Sequence, residues 1–165
     1  MIHRLRILTP ALLTLLLADC ATKELAEAHL TPAVPLSVWG DALQFTLVYN
    51  PGAAFGIALG EYNRLVFTGL ALIIIGLLLW LAIRSPNASK ARLWGIGITI
   101  GGAAGNLIDR LRSHRGVVDF IDVGLGDTRF WIFNLADVGV TVGAILVAYT
   151  IWREDQPSDT ELLKS

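Results

Sequence analysis

The stretch LVFTGLALIIIGLLLWLAI, from Leu65 to Ile83, carries no charged residue and decides the fold class of this chain. A helix needs about 20 predominantly apolar residues, within a range of 17–25, to cross the hydrocarbon core of a bilayer. A helix also satisfies its backbone hydrogen bonds within the segment, as lipid requires. The stretch therefore predicts a transmembrane α-helix.

The composition of the whole chain agrees with a membrane protein. Of its 165 residues, 54% are hydrophobic and 16% are charged, and the mean hydropathy is +0.60. Globular proteins average about 25% charged residues. The formal net charge of −1 gives no reason to expect a nucleic-acid partner. A single cysteine, Cys20, excludes an internal disulfide and a cysteine-rich metal site.

Three further apolar stretches have the length of a span once their polar ends are included. We expect one integral membrane domain over residues 1–165, an all-α membrane protein with four transmembrane helices. The predicted spans are 7–23, 65–83, 93–109 and 132–152, and the predicted extracytoplasmic loops are 24–64 and 110–131.

The orientation follows from the first helix, which usually dominates topology. Arg4 and Arg6 precede it, and the loop from Arg84 to Arg92 is short and purely basic. We therefore expect both termini in the cytoplasm, including the polar tail 153–165.

The N-terminus also has features of a lipoprotein signal sequence ending at Cys20. The residue before such a cleavage site should be small, whereas Asp19 is charged. Three more predicted spans follow, rather than a soluble domain. We therefore interpret the segment as the first membrane helix.

Both extracytoplasmic loops have strand-like patterns. Apolar and polar residues alternate imperfectly over 43–50, and Asn50-Pro51-Gly52 ends the pattern. Residues 116–122 and 129–133 flank a turn-rich segment in which Asp122 and Asp127 are expected to be solvated. The loops predict a small extracytoplasmic sheet, and Ala54 to Leu59 predict a short helix at the membrane interface.

Glycines recur at four-residue spacing in the last two spans. Small residues at this spacing let helix backbones approach closely in lipid. The run 101–106 also resembles a phosphate-binding loop but lacks the Gly-Lys-Ser/Thr ending, so packing is the better interpretation. The glycines are Gly97, Gly101, Gly105, Gly139 and Gly143.

Polar residues cluster at the outer ends of the spans and in the loops between them. Asp19 and Lys23 share a helix face and are as consistent with an ion pair as with reactive groups. Asparagines at such ends are also common caps and turn residues, and an arginine there can simply provide structural support. The candidate site residues are Asp19, Lys23, Asn50, Gly52, Asn106, Arg110, Asp119, Asn134 and Asp137.

Asp119 and Asp137 are the hardest of these to explain structurally, because both lie in apolar surroundings. Two carboxylates at close range share one proton, and such a pair can activate water. No recognisable serine, cysteine or metal motif is present. The pattern alone leaves a membrane aspartyl hydrolase and a proton-coupled carrier open, with a noncatalytic scaffold as a third possibility.

Five blocks of the chain, in order, resemble the lipoprotein signal peptidase (signal peptidase II) family. They are Asp19 to Lys23, Asn50 to Phe55, Gly101 to Arg110, Val117 to Phe120, and Phe133 to Asp137. Cys20, where the family often has Gln, and Val138, where it often has Ser, depart from its pattern without touching either aspartate.

The resemblance implies a bacterial inner-membrane enzyme with four transmembrane helices, an extracytoplasmic β-cradle and a short periplasmic helix. Asp119 and Asp137 would form its catalytic dyad near the outer face, without a metal or cofactor. The implied reaction removes the signal peptide of a prolipoprotein just before its diacylglyceryl-modified cysteine. Globomycin-type antibiotics are the implied inhibitors, and membrane lipid is the implied surrounding.

Overall fold

The computed structural model describes residues 2–52 and 62–154. The helix predicted around Ala54 to Leu59 therefore lies outside the described residues. The elements in chain order are α1 (Ile2–His29), β1 (Leu36–Trp39), β2 (Leu43–Asn50), α2 (Asn63–Arg84), α3 (Lys90–Arg112), β3 (Val117–Leu125), β4 (Thr128–Arg129) and α4 (Leu135–Glu154).

The helices include nearly all of the residues predicted to span. The segments 7–23, 65–83 and 93–109 lie inside α1, α2 and α3, which extend beyond them at both ends. The last helix begins at Leu135 rather than at residue 132. The reason is that Phe133 pairs with Ile121 of β3, so the chain is still part of the sheet at that point.

Within the described residues, α1, α2 and α4 are long and apolar enough to cross a membrane. Helix α3 has 23 residues but carries Lys90 and Arg92 at its start and Arg110 and Arg112 in its last turn. It packs against α1, α2 and α4, so it is the central helix of the bundle and faces protein on several sides. Helix α2, in contrast, buries only Asn63 and Ala82.

Glycines on α3 allow this central packing, as the sequence pattern predicts. A Cβ atom on Gly97 would lie 2.6 Å from the carbonyl oxygen of Leu8, and one on Gly101 would lie 2.6 Å from that of Leu12. The backbones of α1 and α3 therefore touch along the helix. The interpretation of the glycines as packing residues is confirmed.

We expect the Gly101→Ala variant to be destabilised by about 1–3 kcal/mol, the usual cost of overpacking. The added methyl group would collide with a backbone carbonyl of α1, which cannot rotate away. Thermal unfolding of the purified variant in detergent measures the effect. Gly76→Ala is the matched control, because a Cβ there meets nothing within 4 Å; equal melting temperatures for the two variants would contradict the packing account.

The strands form one antiparallel sheet in the order β1-β2-β3-β4. The strand predicted over 43–50 is confirmed, as is the one predicted over 116–122, which lies almost entirely within β3. The strand predicted over 129–133 is mostly wrong, because β4 covers only Thr128–Arg129 and Phe133 forms an isolated bridge. In the β2–β3 register, Val48 lies opposite Asp119 and Asn50 lies opposite Val117. Strand β1 was not predicted; all four of its residues are exposed, so it has no alternation between a buried and an exposed face.

The expectation that Asp122 is solvated is wrong. Asp122 is buried, and its carboxylate accepts hydrogen bonds from Thr46 Oγ1 at 2.9 Å and from Arg129 Nε at 2.7 Å. Arg129 also donates to the carbonyl oxygen of Asp41 at 3.0 Å. The bonds of Thr46 to Asp122 and of Arg129 to Asp41 tie the hairpins at both ends of the sheet to each other, which the sequence spacing could not reveal.

The sheet rests on the end of α1. Ala26 of α1 forms a buried apolar cluster with Leu47 of β2 and with Val118 and Phe120 of β3. Because successive residues of a strand point to opposite faces, burial of Val118 and Phe120 against α1 directs Asp119 to the other face. The sheet thereby holds a carboxylate over the ends of α3 and α4.

Candidate active site

Asp119 lies in the middle of β3 with only 3% of its side chain surface exposed. Its Oδ1 accepts a hydrogen bond from Asn134 Nδ2 at 2.7 Å, and its Oδ2 accepts one from Asn50 Nδ2 at 3.1 Å. Both oxygens therefore have a fixed direction, and the carboxyl group cannot swing into solvent.

Asp137 occupies the first turn of α4, not a position with helix on both sides. Its Oδ2 accepts a hydrogen bond from the backbone N–H of Asn134 at 3.1 Å, while Asn134 Oδ1 accepts one from the backbone N–H of Asp137 at 3.0 Å. This reciprocal pair is the geometry of a capping box. The positive end of the α4 dipole also favours a negative charge at this position.

Asn134 joins the two carboxylates. It is fully buried, and its Nδ2 also lies 3.0 Å from Asn106 Oδ1. Asn106 Nδ2 in turn donates to Asp137 Oδ1 at 2.8 Å. A pair of amide side chains thus links β3, α3 and α4 and aligns Asp119 with Asp137.

Burial raises the pKa of Asp119 from 3.8 to about 7, and the neighbouring charge of Asp137 adds to the shift. Hydrogen bonds donated by Asn50 and Asn134 act in the opposite direction. Asp119 is therefore partly protonated near neutral pH, and acid–base catalysis by two carboxyl groups needs one such proton.

We expect the protein to lose stability as the pH rises from about 4 to 7. In this range folded Asp119 keeps a proton that the unfolded chain has released, so deprotonating it lowers the free energy of unfolding. The group can contribute at most about 1.4 kcal/mol per pH unit. Unfolding in detergent at several pH values measures the slope, and the Asp119→Asn variant should show a shallower one. Identical slopes would contradict the raised pKa.

Lys23 is the charged centre beneath the carboxylates. Its Nζ lies 2.8 Å from each of Asp19 Oδ2, Asp109 Oδ2 and Asn106 Oδ1, and its side chain is only 3% exposed. Asp19 Oδ1 also accepts the backbone N–H of Ala136 at 2.9 Å, which satisfies another free donor of the first turn of α4. Asp19 and Lys23 are therefore a buried ion pair that fixes the helix ends.

The turn after β2 positions Asn50. Asn50 Oδ1 accepts the backbone N–H of Gly52 at 3.0 Å, so its Nδ2 points toward Asp119. Gly52 has a φ of +116°, in the region that favours glycine, and a Cβ there would press on Phe67 and Asn63. Gly52 thus acts on the candidate site through the conformation of its turn.

Arg110 supports the site from α3. Its Nη1 donates to the carbonyl oxygen of Asn106 at 3.1 Å, and its guanidinium lies 5.8 Å from the ring centroid of Phe67. That Arg110 helps to hold the segment carrying Asp119 stays a prediction. The nine predicted site residues nevertheless form one connected cluster.

Two contributors were missed when the site was predicted. Asp109 Oδ2 binds Lys23 and also accepts the backbone N–H of Val118 at 3.3 Å, which docks β3 onto α3. Arg64 donates from Nε to the carbonyl oxygen of Arg110 at 2.6 Å, and its Nη1 lies 2.7 Å from His114 Nδ1. The spacing of Asn106 and Asp109 on one helix face was the available signal for Asp109; no signal pointed to Arg64.

A buried carboxyl pair, joined by amide side chains at the end of a bundle of apolar helices, defines a class: membrane proteins with a buried acidic site. Comparison with known proteins gives the family. A model described as signal peptidase (SPase) II matches residues 11–153. The chain belongs to this family of aspartic-type proteases, whose role is to cleave the signal peptides of prolipoproteins.

Individual relatives agree with this assignment. The lipoprotein signal peptidase of Mycolicibacterium smegmatis is 43% identical over 155 residues, which are 88% of this chain and 60% of that protein. The lipoprotein signal peptidase of Hydrogenovibrio crunogenus is 38% identical, over 81% of this chain and 77% of its own length. A bacterial membrane enzyme solved by the in meso method at 2.3 Å resolution has a TM-score of 0.79 at 28% identity, covering 92% of this chain and 91% of that one.

Proposed function

We propose that this chain is a membrane aspartic endopeptidase in which Asp119 and Asp137 activate the water that cuts the signal peptide. The observation that supports this best is the bridge through Asn134, which bonds to both carboxyl groups. The side-chain and backbone amides of Asn134 hold the two carboxyl groups in this bridge.

The proposed reaction begins with one proton on the pair. The ionised member takes a proton from water as the water oxygen attacks the scissile carbonyl, and the protonated member donates its proton to the carbonyl oxygen. The carboxyl group that took the proton from water then gives it to the amide nitrogen as the C–N bond breaks. The other carboxylate takes a proton from a hydroxyl of the tetrahedral intermediate, which leaves one proton on the pair as at the start. Burial favours Asp119 as the resting holder of the shared proton.

The proposed membrane arrangement places this chemistry at a bilayer boundary. We propose that α3 crosses the bilayer together with α1, α2 and α4, its polar ends reaching the two surfaces. Both termini would then be cytoplasmic, and the sheet and the carboxyl pair would lie at the outer face of a bacterial inner membrane. A substrate held in the membrane by lipid would present its scissile peptide at this depth.

The proposed substrate is a prolipoprotein whose cysteine already carries diacylglycerol, cut just before that cysteine. Globomycin-type compounds would inhibit it by occupying the same site. The test is to incubate the purified protein with modified and unmodified precursor, in the presence of a chelator, and to locate the cut by mass spectrometry.

We expect cleavage of the modified precursor alone, unaffected by the chelator. Equal cleavage of both precursors would contradict the lipid requirement. Absence of cleavage together with pH-driven flux across vesicles would instead support a proton-coupled carrier.

A further inference from the structure

An apolar cavity lies on the side of the sheet that faces away from the carboxyl pair. It has a volume of about 290 Å³ and lies between the end of α1 and the first three strands. Thr22, Leu25 and His29 line it from α1, and Leu36, Phe45 and Phe120 line it from β1, β2 and β3.

The lining leaves a ligand almost no hydrogen-bonding partner. Thr22 Oγ1 donates within its own helix, 2.9 Å from the carbonyl oxygen of Ala18 and 3.0 Å from that of Asp19. His29 Nδ1 lies 3.0 Å from the carbonyl oxygen of Leu25. Apolar cavities of about 150 Å³ already bind apolar molecules such as benzene, so this larger cavity suits an apolar ligand.

The cavity adjoins an exposed apolar face of α1. Leu25 lines it and is 59% exposed, and Leu17, two helical turns earlier, is 66% exposed. Residues separated by eight positions lie on the same face of a helix. Because α1 is apolar enough to cross a membrane, this face meets acyl chains, and the cavity continues it.

The neighbouring edge strand has the surface of a membrane-contacting segment. Leu36, Val38 and Trp39 of β1 are 54%, 51% and 77% exposed. Contiguous exposed apolar side chains indicate an interaction surface, and tryptophan is enriched where membrane meets water. Strand β1 therefore belongs at the bilayer boundary, with the cavity directly behind it.

We propose that this cavity holds an acyl chain of a bilayer phospholipid, which fixes the sheet at its depth in the membrane. A bilayer lipid fits better than the substrate because Phe120 and Asp119 are consecutive in β3 and point to opposite faces. A lipid attached to a peptide at Asp119 would have to pass around the sheet to enter. This inference does not depend on the cleavage reaction.

The test uses a phosphatidylcholine analogue with a photoactivatable diazirine at the end of one acyl chain, incorporated into vesicles with the full-length protein. After illumination, crosslinked peptides are mapped by mass spectrometry. We expect crosslinks at Phe45 and Phe120, which line the cavity. The Thr22→Phe variant fills the cavity and should reduce these crosslinks severalfold, while Leu17→Phe on the same face should leave them unchanged.

A second experiment distinguishes an acyl chain of a bilayer phospholipid from an acyl chain of the modified substrate. A diacylglyceryl-modified peptide with the same diazirine should not label Phe45 or Phe120. Labelling by the peptide and not by the phospholipid would overturn the proposal, as would labelling of α1 alone. Thermal unfolding verifies that each variant folds. If Thr22→Phe does not fold, Leu36→Trp is the alternative variant that fills the cavity.

Discussion

The Asp137→Asn variant should retain substrate binding and lose turnover by about 10³-fold, at the centre of the 10²–10⁴-fold range for general acid–base catalysis. An amide at this position can still accept the backbone N–H of Asn134 but cannot exchange a proton with water. Asp119→Asn should lose activity to a similar degree, because the two carboxyl groups act as one unit. Cleavage of a diacylglyceryl-modified prolipoprotein at saturating concentration measures the loss.

Asp127→Asn is the matched control for this prediction. Asp127 is an exposed residue between β3 and β4, and we expect its substitution to leave turnover within twofold. Turnover that survives in either Asp119→Asn or Asp137→Asn would exclude that residue from the chemistry. Equal losses in all three variants would indicate a general effect on the fold.

The Lys23→Met variant should lose about 3–5 kcal/mol of stability, because removing one member of a buried ion pair leaves its partners uncompensated. Here the partners are Asp19 and Asp109, both 2.8 Å from Lys23 Nζ. Methionine preserves the apolar length of the side chain, so the change isolates the charge. Chemical unfolding in detergent measures the loss, and activity should fall with it because Asn106 also loses a donor.

The Arg115→Met variant tests whether burial is responsible for the large loss of stability expected of Lys23→Met. Arg115 pairs with Glu27 at 3.2 Å, but the two side chains are 61% and 37% exposed. Exposed pairs contribute about 0–1 kcal/mol, and the stacking of Arg115 on Tyr49 adds a similar amount at most. If Lys23→Met cost no more than Arg115→Met, the buried cluster would not be the support that the geometry indicates.

The sequence predicted the helices well because each is apolar over most of its length. In lipid, an apolar segment satisfies its own backbone hydrogen bonds by forming a helix. It also predicted the strand over 43–50, where alternation was visible, and missed β1, where all residues are exposed. The position of Asp137 was misjudged because hydrophobic residues continue before it. Only the pairing of Phe133 with Ile121 shows that the helix has not yet begun.

The candidate site residues were predictable as a set, but their arrangement was not. Motif spacing identified Asp19, Asn106 and Asn134 without showing which atoms meet. The structure shows that Asn134 bonds to both carboxyl groups and that Asp19 caps α4. The contacts of Asn134 with Asp119 and of Asp19 with α4 join separate elements, and no local pattern encodes them. Only the bond between Asn134 and Asp137 is local, because the two residues are three positions apart. Asp122 was misread for the same reason, since Thr46 and Arg129 lie on other strands.

The central claim is that Asp119 and Asp137 activate a water molecule and do not themselves attack the peptide. A single turnover in ¹⁸O-labelled water, with enzyme in excess over diacylglyceryl-modified prolipoprotein, tests it directly. The account predicts one ¹⁸O atom in the new carboxylate of the released signal peptide and none in the enzyme. An unlabelled signal peptide, with ¹⁸O in the enzyme fragment that contains Asp119 or Asp137, would contradict it by showing a covalent intermediate.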